Sequence, residues 1–442
     1  MANSRLRGLT WWRKWAKKEW AITAVGFSLI VFLFTLISDS WSRRDDSNLN
    51  NPFDHTHDLV DLTLVRNAKN TGAFCLDGSL PGYHFQKGFG SGSNNWLLHV
   101  EGGGWCNTVS SCSSRKFTRL GSSKYMESQV PFSGILSRDP SQNPDFFNWN
   151  KVKIRYCDGA SFASHPESEP KNEEKLFFRG QLIWEALMDE LLSIGLSNAK
   201  QMFDIVAGSS SGCSAGGLAT LIHCDNFREL LPKDTTVKCL ADAGFFLDEK
   251  DILGNRTMRS FYNDVVHLQG VAKSLHKDCV ARMEPSKAGY FFLNKMLHLL
   301  FFQIVTFLCI SFDTNLIITI SRFKNILIPD ASDPHGDWRN CRLNIHDCNP
   351  SQIGILHGFR NSLLRALGEF QKIKEGGMFI NSCFVHCQTW MAETWHSAKS
   401  PRINRTIAES VGDWFFGQKA VKQIDCPYPC NPTCYHLDFT RG

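Results

Sequence analysis

The sequence lacks the marks of several large protein classes. Outside its first 44 residues there is no run of Lys and Arg interleaved with aromatics, so nucleic-acid binding has no electrostatic footprint. There is no internal repeat and no low-complexity tract, which argues against repeat and linker-like architectures. No Cys-x-x-Cys pair occurs, and metal centres built on that spacing are excluded with it. Charged residues make up only 21% of 442 positions and apolar residues 43%, so the chain is neither disordered nor fibrous. The formal net charge of +5 is confined to one end. Residues 1–44 hold eight Lys/Arg against two Asp/Glu, and the remainder has 40 basic against 41 acidic residues. A near-neutral body gives no charge argument for an acidic polymer substrate.

What is present points to the secretory pathway. Residues 21–38, AITAVGFSLIVFLFTLIS, carry no charge, and Arg5, Arg7, Arg13, Lys14, Lys17 and Lys18 precede them. Length and flank predict a signal-anchor helix with residues 1–20 as a cytosolic basic segment. A cleaved signal peptide is the alternative, although Ile37-Ser38-Asp39-Ser40 is a poor cleavage site. On either reading a linker over 39–58 leads into a luminal catalytic domain over 59–436. Sixteen cysteines suit an oxidising compartment. Asn255-Arg-Thr and Asn404-Arg-Thr are glycosylation acceptors on the luminal side. Cys106 with Cys112, Cys224 with Cys239 and Cys341 with Cys348 are plausible short disulfide loops. Cys426, Cys430 and Cys434 stand among Pro427, Pro429 and Pro432 and read as a stapled tail rather than a zinc site.

Apolar runs alternate with helical patterns. Residues 96–100, 152–156, 202–207, 237–241 and 377–380 read as strands, and 182–196, 215–224 and 352–371 as helices. This predicts an α/β fold with a mainly parallel central sheet flanked by helices. Residues 296–312 are almost all apolar and are expected as a buried core segment. A second membrane span there would separate Ser214 from His386.

Gly212-Cys213-Ser214-Ala215-Gly216 fits G-x-S-x-G, in which a Ser on a sharp strand-to-helix turn is exposed as a nucleophile. About a hundred residues upstream, Gly102, Gly103 and Gly104 follow a strand and can aim bare N–H groups at an oxyanion. The amide of Ala215 would be the further donor. His386, just past the strand at 377–380 and flanked by Cys383 and Cys387, suits the base.

These residues carry a resemblance. WLLHVEGGGWC at 96–106, VKIRYCDGASF at 152–162, SGCSAGGLA at 211–219 and CLADAGFFLD at 239–248 resemble plant pectin acetylesterases. So do GMFINSCFVHCQT at 377–389, AESVGDWFFG at 408–417 and IDCPYPCNPTC at 424–434. That family is also similar to the Notum carboxylesterases. The resemblance implies an α/β-hydrolase-like fold and hydrolysis of acetyl esters on pectin, without metal or cofactor. It makes Ser214 the nucleophile and His386 the base, with Trp105 against the substrate. The family's acid stands in a Tyr-Asp-x-Trp-Gln motif. Here only Asp313 lies between Glu284 and Asp330, and the Trp and Gln are missing. Asp313 is therefore the expected acid, with Asp242 and Asp248 as fallbacks. Two other readings stay open: a Notum-like lipid carboxylesterase, and a catalytically impaired homologue that only binds wall polysaccharide.

Overall fold

The computed structural model describes residues 59–169, 175–206, 214–275, 306–310 and 338–436, with 369, 375, 397 and 398 excepted. The expected membrane helix at 21–38 lies outside the described residues. Among those described, no helix is long and apolar enough to cross a membrane.

A ten-stranded mixed sheet carries the fold. Its strands are β1 (Leu59–Leu64), β2 (Gly82–Gln86), β3 (Asn95–Val100), β4 (Gln129–Pro131) and β5 (Asn150–Ile154). They continue with β6 (Gln201–Val206), β7 (Thr236–Asp242), β8 (Thr306–Ile310), β9 (Gly377–Ile380) and β10 (Lys422–Ile424). The order across the sheet is β10-β9-β8-β7-β6-β3-β5-β2-β1-β4. From β10 to β5 all neighbours are parallel. The pairs β5–β2, β2–β1 and β1–β4 are antiparallel. The sheet is thus mainly parallel, with an antiparallel margin that the sequence pattern did not single out.

Helices cover both faces. They are α1 (Val109–Arg115), α2 (Gly180–Ser193), α3 (Ser214–Glu229), α4 (Thr257–Gln269), α5 (Pro350–Ala366) and α6 (Ile407–Phe415). In β3, Trp96, Leu98 and Val100 enter one core while Leu97 enters the other. Met378 and Ile380 divide from Phe379 in β9 in the same way. This is the period-two alternation of a strand buried on both faces. Ile183, Trp184, Leu187 and Leu191 give α2 its buried stripe. Reciprocal caps start α5 at Asn349 with Gln352 and α6 at Thr406 with Glu409. The pattern read over 352–371 ends as a helix at Ala366, just before Gly368. Of the apolar stretch 296–312, residues 306–310 form β8, seated in register between β7 and β9.

Among the described residues six disulfides form. They join Cys75 to Cys157, Cys106 to Cys112, Cys224 to Cys239, Cys341 to Cys348, Cys383 to Cys434 and Cys426 to Cys430. The three expected short loops are among them.

The topology sets the place for chemistry. β5 and β6 follow β3 in the chain but lie on opposite sides of it, so the strand order reverses there. In such sheets ligands enter the crevice beyond the carboxyl ends of the strands. Segments 101–105, 157–162, 242–244 and 381–389 all leave that one edge.

Candidate active site

The Gly-rich turn after β3 hangs from a buried charge. Glu101 is shut from solvent. Its carboxylate accepts from Arg155 Nε at 2.8 Å, Arg119 Nη1 at 2.7 Å and the Tyr156 amide at 3.2 Å. Burial alone would raise its pKa, but the Arg155, Lys153 and Arg119 charges outweigh that and bring it down to about 2. Beyond it the chain turns through Gly103 at φ +150° and Gly104 at φ +69°, which suits residues without a Cβ. Among the described residues no acceptor takes the amides of Gly102, Gly103 or Gly104. Arg115 Nη1 donates to the Gly103 carbonyl at 2.9 Å. In a trans peptide the next N–H points the opposite way, so this bond turns the Gly104 amide away from Arg115.

Ser214 is the first residue of α3, and its side chain lies outside the described residues. The first amides of a helix have no intrahelical acceptor and carry the positive end of its dipole, which favours an oxyanion at Ala215. Gly217 in α3 meets Gly244 backbone to backbone after β7, where a Cβ on either would strike the other. The first turn of α3 is thereby pressed against the end of β7.

His386 lies in the segment after β9. Cys383 and Cys387 beside it are both disulfide-bonded, and Cys387 holds φ +61°. The Phe384 amide donates to His436 Nδ1 at 2.9 Å. Asp242, buried at the end of β7, accepts from the amides of Gln388 and Thr389 at 2.8 and 2.9 Å and from Thr389 Oγ1 at 3.0 Å. Burial pushes the Asp242 pKa up to about 6 against the pull of those bonds. Burial also holds the His386 imidazole well below its usual value, so the ring is neutral. Its Nδ1 is enclosed and has no hydrogen-bond partner among the described residues.

Asp313 lies outside the described residues, three positions after β8 ends at Ile310. Of the fallback acids, Asp248 is bound to Arg256 and Arg259, and Oδ2 of Asp242 is occupied by the His386 segment. Trp105 is only 8% exposed, its indole N–H donating to Ser161 and its ring edge-on to Phe246 and Tyr262. It serves the loop packing, and little of it is open to a ligand. Asn255 and Asn404 are both exposed. The buried supports Arg115, Tyr156 and Ser161 were not singled out in the sequence, because a polar residue near a motif has no periodicity to betray it.

Comparison with known proteins converges on one family. The pectinacetylesterase family profile matches residues 53–435. Pectin acetylesterase 5 of Arabidopsis thaliana is 56% identical over 444 residues, covering 100% of both chains. Pectin acetylesterase 4 of the same plant is 56% identical over 97% of this chain and 100% of its own. Palmitoleoyl-protein carboxylesterase NOTUM of Mus musculus is 40% identical over 187 residues, 41% of this chain and 35% of its own. The structure of the Wnt deacylase Notum from Drosophila superposes with a TM-score of 0.67 at 20% identity, over 85% of this chain and 99% of that one. That superposition shares the fold, an α/β-hydrolase-type sheet with flanking helices. With Ser214, the Gly-rich turn and His386 at one sheet edge and a match spanning nearly the whole described body, this chain belongs to the pectinacetylesterase family.

Proposed function

We propose that this chain is a carboxylic ester hydrolase that removes acetyl groups from pectin. The observation that carries the reading is identity of 56% over the full length of an Arabidopsis pectin acetylesterase. The site supports it: free amides, a helix N-terminus and a neutral imidazole leave the carboxyl edge of one sheet.

In this reading Ser214 Oγ attacks the acetyl carbonyl and His386 Nε2 takes its proton. The amides of Gly102, Gly103, Gly104 and Ala215 receive the oxyanion. The sugar hydroxyl leaves with the proton returned by His386, and the acetyl group stays on Ser214. Water then attacks, His386 takes its proton, and acetate departs as Ser214 recovers its own. Asp313 orients the imidazole through Nδ1, which the described residues leave unpartnered. In the chain it follows the last residue of β8 by three positions. The route uses no metal or cofactor. Hydrolysis falling steeply from acetyl to long-chain 4-nitrophenyl esters is expected. A preference for the long chain would instead favour the lipid carboxylesterase reading, which the 40% identical NOTUM segment motivates.

The same proposal places the body in the secretory pathway and the cell wall, held by residues 21–38 as an anchor or released after cleavage. The six disulfides among the described residues and two exposed sequons support that placement. Full-length protein in the carbonate-resistant membrane fraction, with a mobility shift on deglycosylation, is the expected result for the anchored form. Recovery without the shift would contradict glycosylation at Asn255 and Asn404.

A further inference from the structure

The loop after β5 joins the two halves of the site. Ser161 Oγ accepts from Trp105 Nε1 at 2.8 Å and donates to the Ala215 carbonyl at 2.6 Å. The Ser161 amide donates to the Tyr156 hydroxyl at 2.9 Å, and that hydroxyl donates to the Gly104 carbonyl at 3.0 Å. Each hydroxyl has a single proton, so every direction in the relay is fixed. One arm ends on the Gly-rich turn and the other on the first turn of α3.

The relay is held under strain. Ser161 and Phe162 both take φ +56°, a left-handed region that a residue with a side chain rarely adopts and that costs it backbone strain. The surroundings over-determine it. Asp158 accepts from the amides of Ala160 and Phe162 and from Ser164 Oγ at 3.1–3.2 Å. His223 Nε2 meets the Phe162 carbonyl at 3.1 Å, its ring stacked on Trp184. All of these groups are buried. Burial also raises the Tyr156 pKa far above the usual phenol value, so its hydroxyl remains a donor. The peptide plane then does the aiming. With the Gly103 carbonyl held by Arg115 and the Gly104 carbonyl by Tyr156, the plane between them can no longer rotate and the Gly104 amide is locked.

We infer that Ser161 and Tyr156 are positioning residues that fix the Gly-rich turn and the α3 N-terminus in one oxyanion-binding geometry. This rests on the proposal that Gly102–Gly104 and Ala215 supply the oxyanion donors. Neither hydroxyl touches the reacting atoms. They act by removing backbone freedom from donors whose value depends on sub-ångström placement.

The test compares Tyr156→Phe, Ser161→Gly and Ser214→Ala in the secreted protein. Tyr156→Phe removes one oxygen and keeps the core ring. Ser161→Gly removes the hydroxyl at a φ that glycine accepts. Each is titrated with a fluorophosphonate, then assayed on 4-nitrophenyl acetate. Expected are full labelling amplitude in the first two, with the labelling rate and kcat falling together by about tenfold to a hundredfold and KM within about threefold. Wild-type kcat at full amplitude would overturn the inference. So would a loss confined to amplitude, which reports misfolding alone. Activity retained in Ser214→Ala would overturn instead the nucleophile assignment on which the oxyanion reading depends, so the two failures are distinguishable.

Discussion

At the scale of the residue, the decisive contrast is between two carboxylates. Asp242 spends Oδ2 on Gln388 and Thr389, which ties down the segment carrying His386. Asp313, the proposed acid, follows the end of β8 by three positions in the chain. If Asp313 orients the imidazole, Asp313→Ala lowers kcat by about 10³–10⁴-fold with the protein still folded. Asp242→Asn then costs about tenfold in kcat together with a lower Tm, since it loosens a loop rather than the ring. The reverse ranking would make Asp242 the acid. Buried titratable groups also set the response to pH. Burial holds His84, His223 and His436 at about 4 and His99 at about 3, all below the ordinary 6.5. As pH falls below 6.5 the unfolded chain gains these protons and the folded protein does not, so stability is lost toward pH 4. Asp158 and Asp242, raised to about 6, oppose this, because the folded protein takes up their protons first between pH 6 and 4. With His386, also held at about 3 by burial, five imidazoles outweigh the two carboxylates. Tm is therefore expected to fall between pH 7 and pH 4.5, and a flat or rising Tm would contradict the assignment. The motif residues were legible because glycine and serine at fixed offsets mark a turn. Ser161 was not, since its value lies in a φ and in partners more than 50 positions away in sequence.

At the scale of the element, the central strands could be read because burial on both faces leaves a dense apolar run, as in β3 and β9. The margin was harder. β1 is partly exposed, β10 is three half-buried residues, and β2 hides a histidine that bonds the Val60 carbonyl. β8 sits in a continuous apolar stretch, in which strand and helix periodicity cannot be told apart. The segment after β9 has little regular structure, and its order rests on covalent and polar staples. Cys383→Ser opens the bond to Cys434, which closes a sequence separation of 51 residues. A loss of about 2–5 kcal/mol in stability is expected, with a fall in kcat because His386 is freed. Cys341→Ser, which opens a separation of 7 ahead of α5, should lower Tm and leave kcat unchanged. Equal kcat in the two variants would show that the staple does not position the base.

At the scale of the whole molecule, the chain joins a basic, apolar N-terminus to a near-neutral hydrolase body. The class of fold was readable from strands alternating with helices, and the strand order was not, because periodicity marks elements without saying which are neighbours. Parallel strands explain why residues as far apart as Gly103 and His386 come to the same sheet edge: each follows the carboxyl end of its own strand. The proposed Ser-His-Asp chemistry is the same whichever alcohol leaves, so the polymer must be tested directly. The most direct measurement is acetate release from acetylated pectin by residues 45–442 secreted from a eukaryotic host, beside Ser214→Ala. The account predicts release by the wild type that vanishes in Ser214→Ala. No release from folded, monodisperse wild type, or equal release from both, would contradict it.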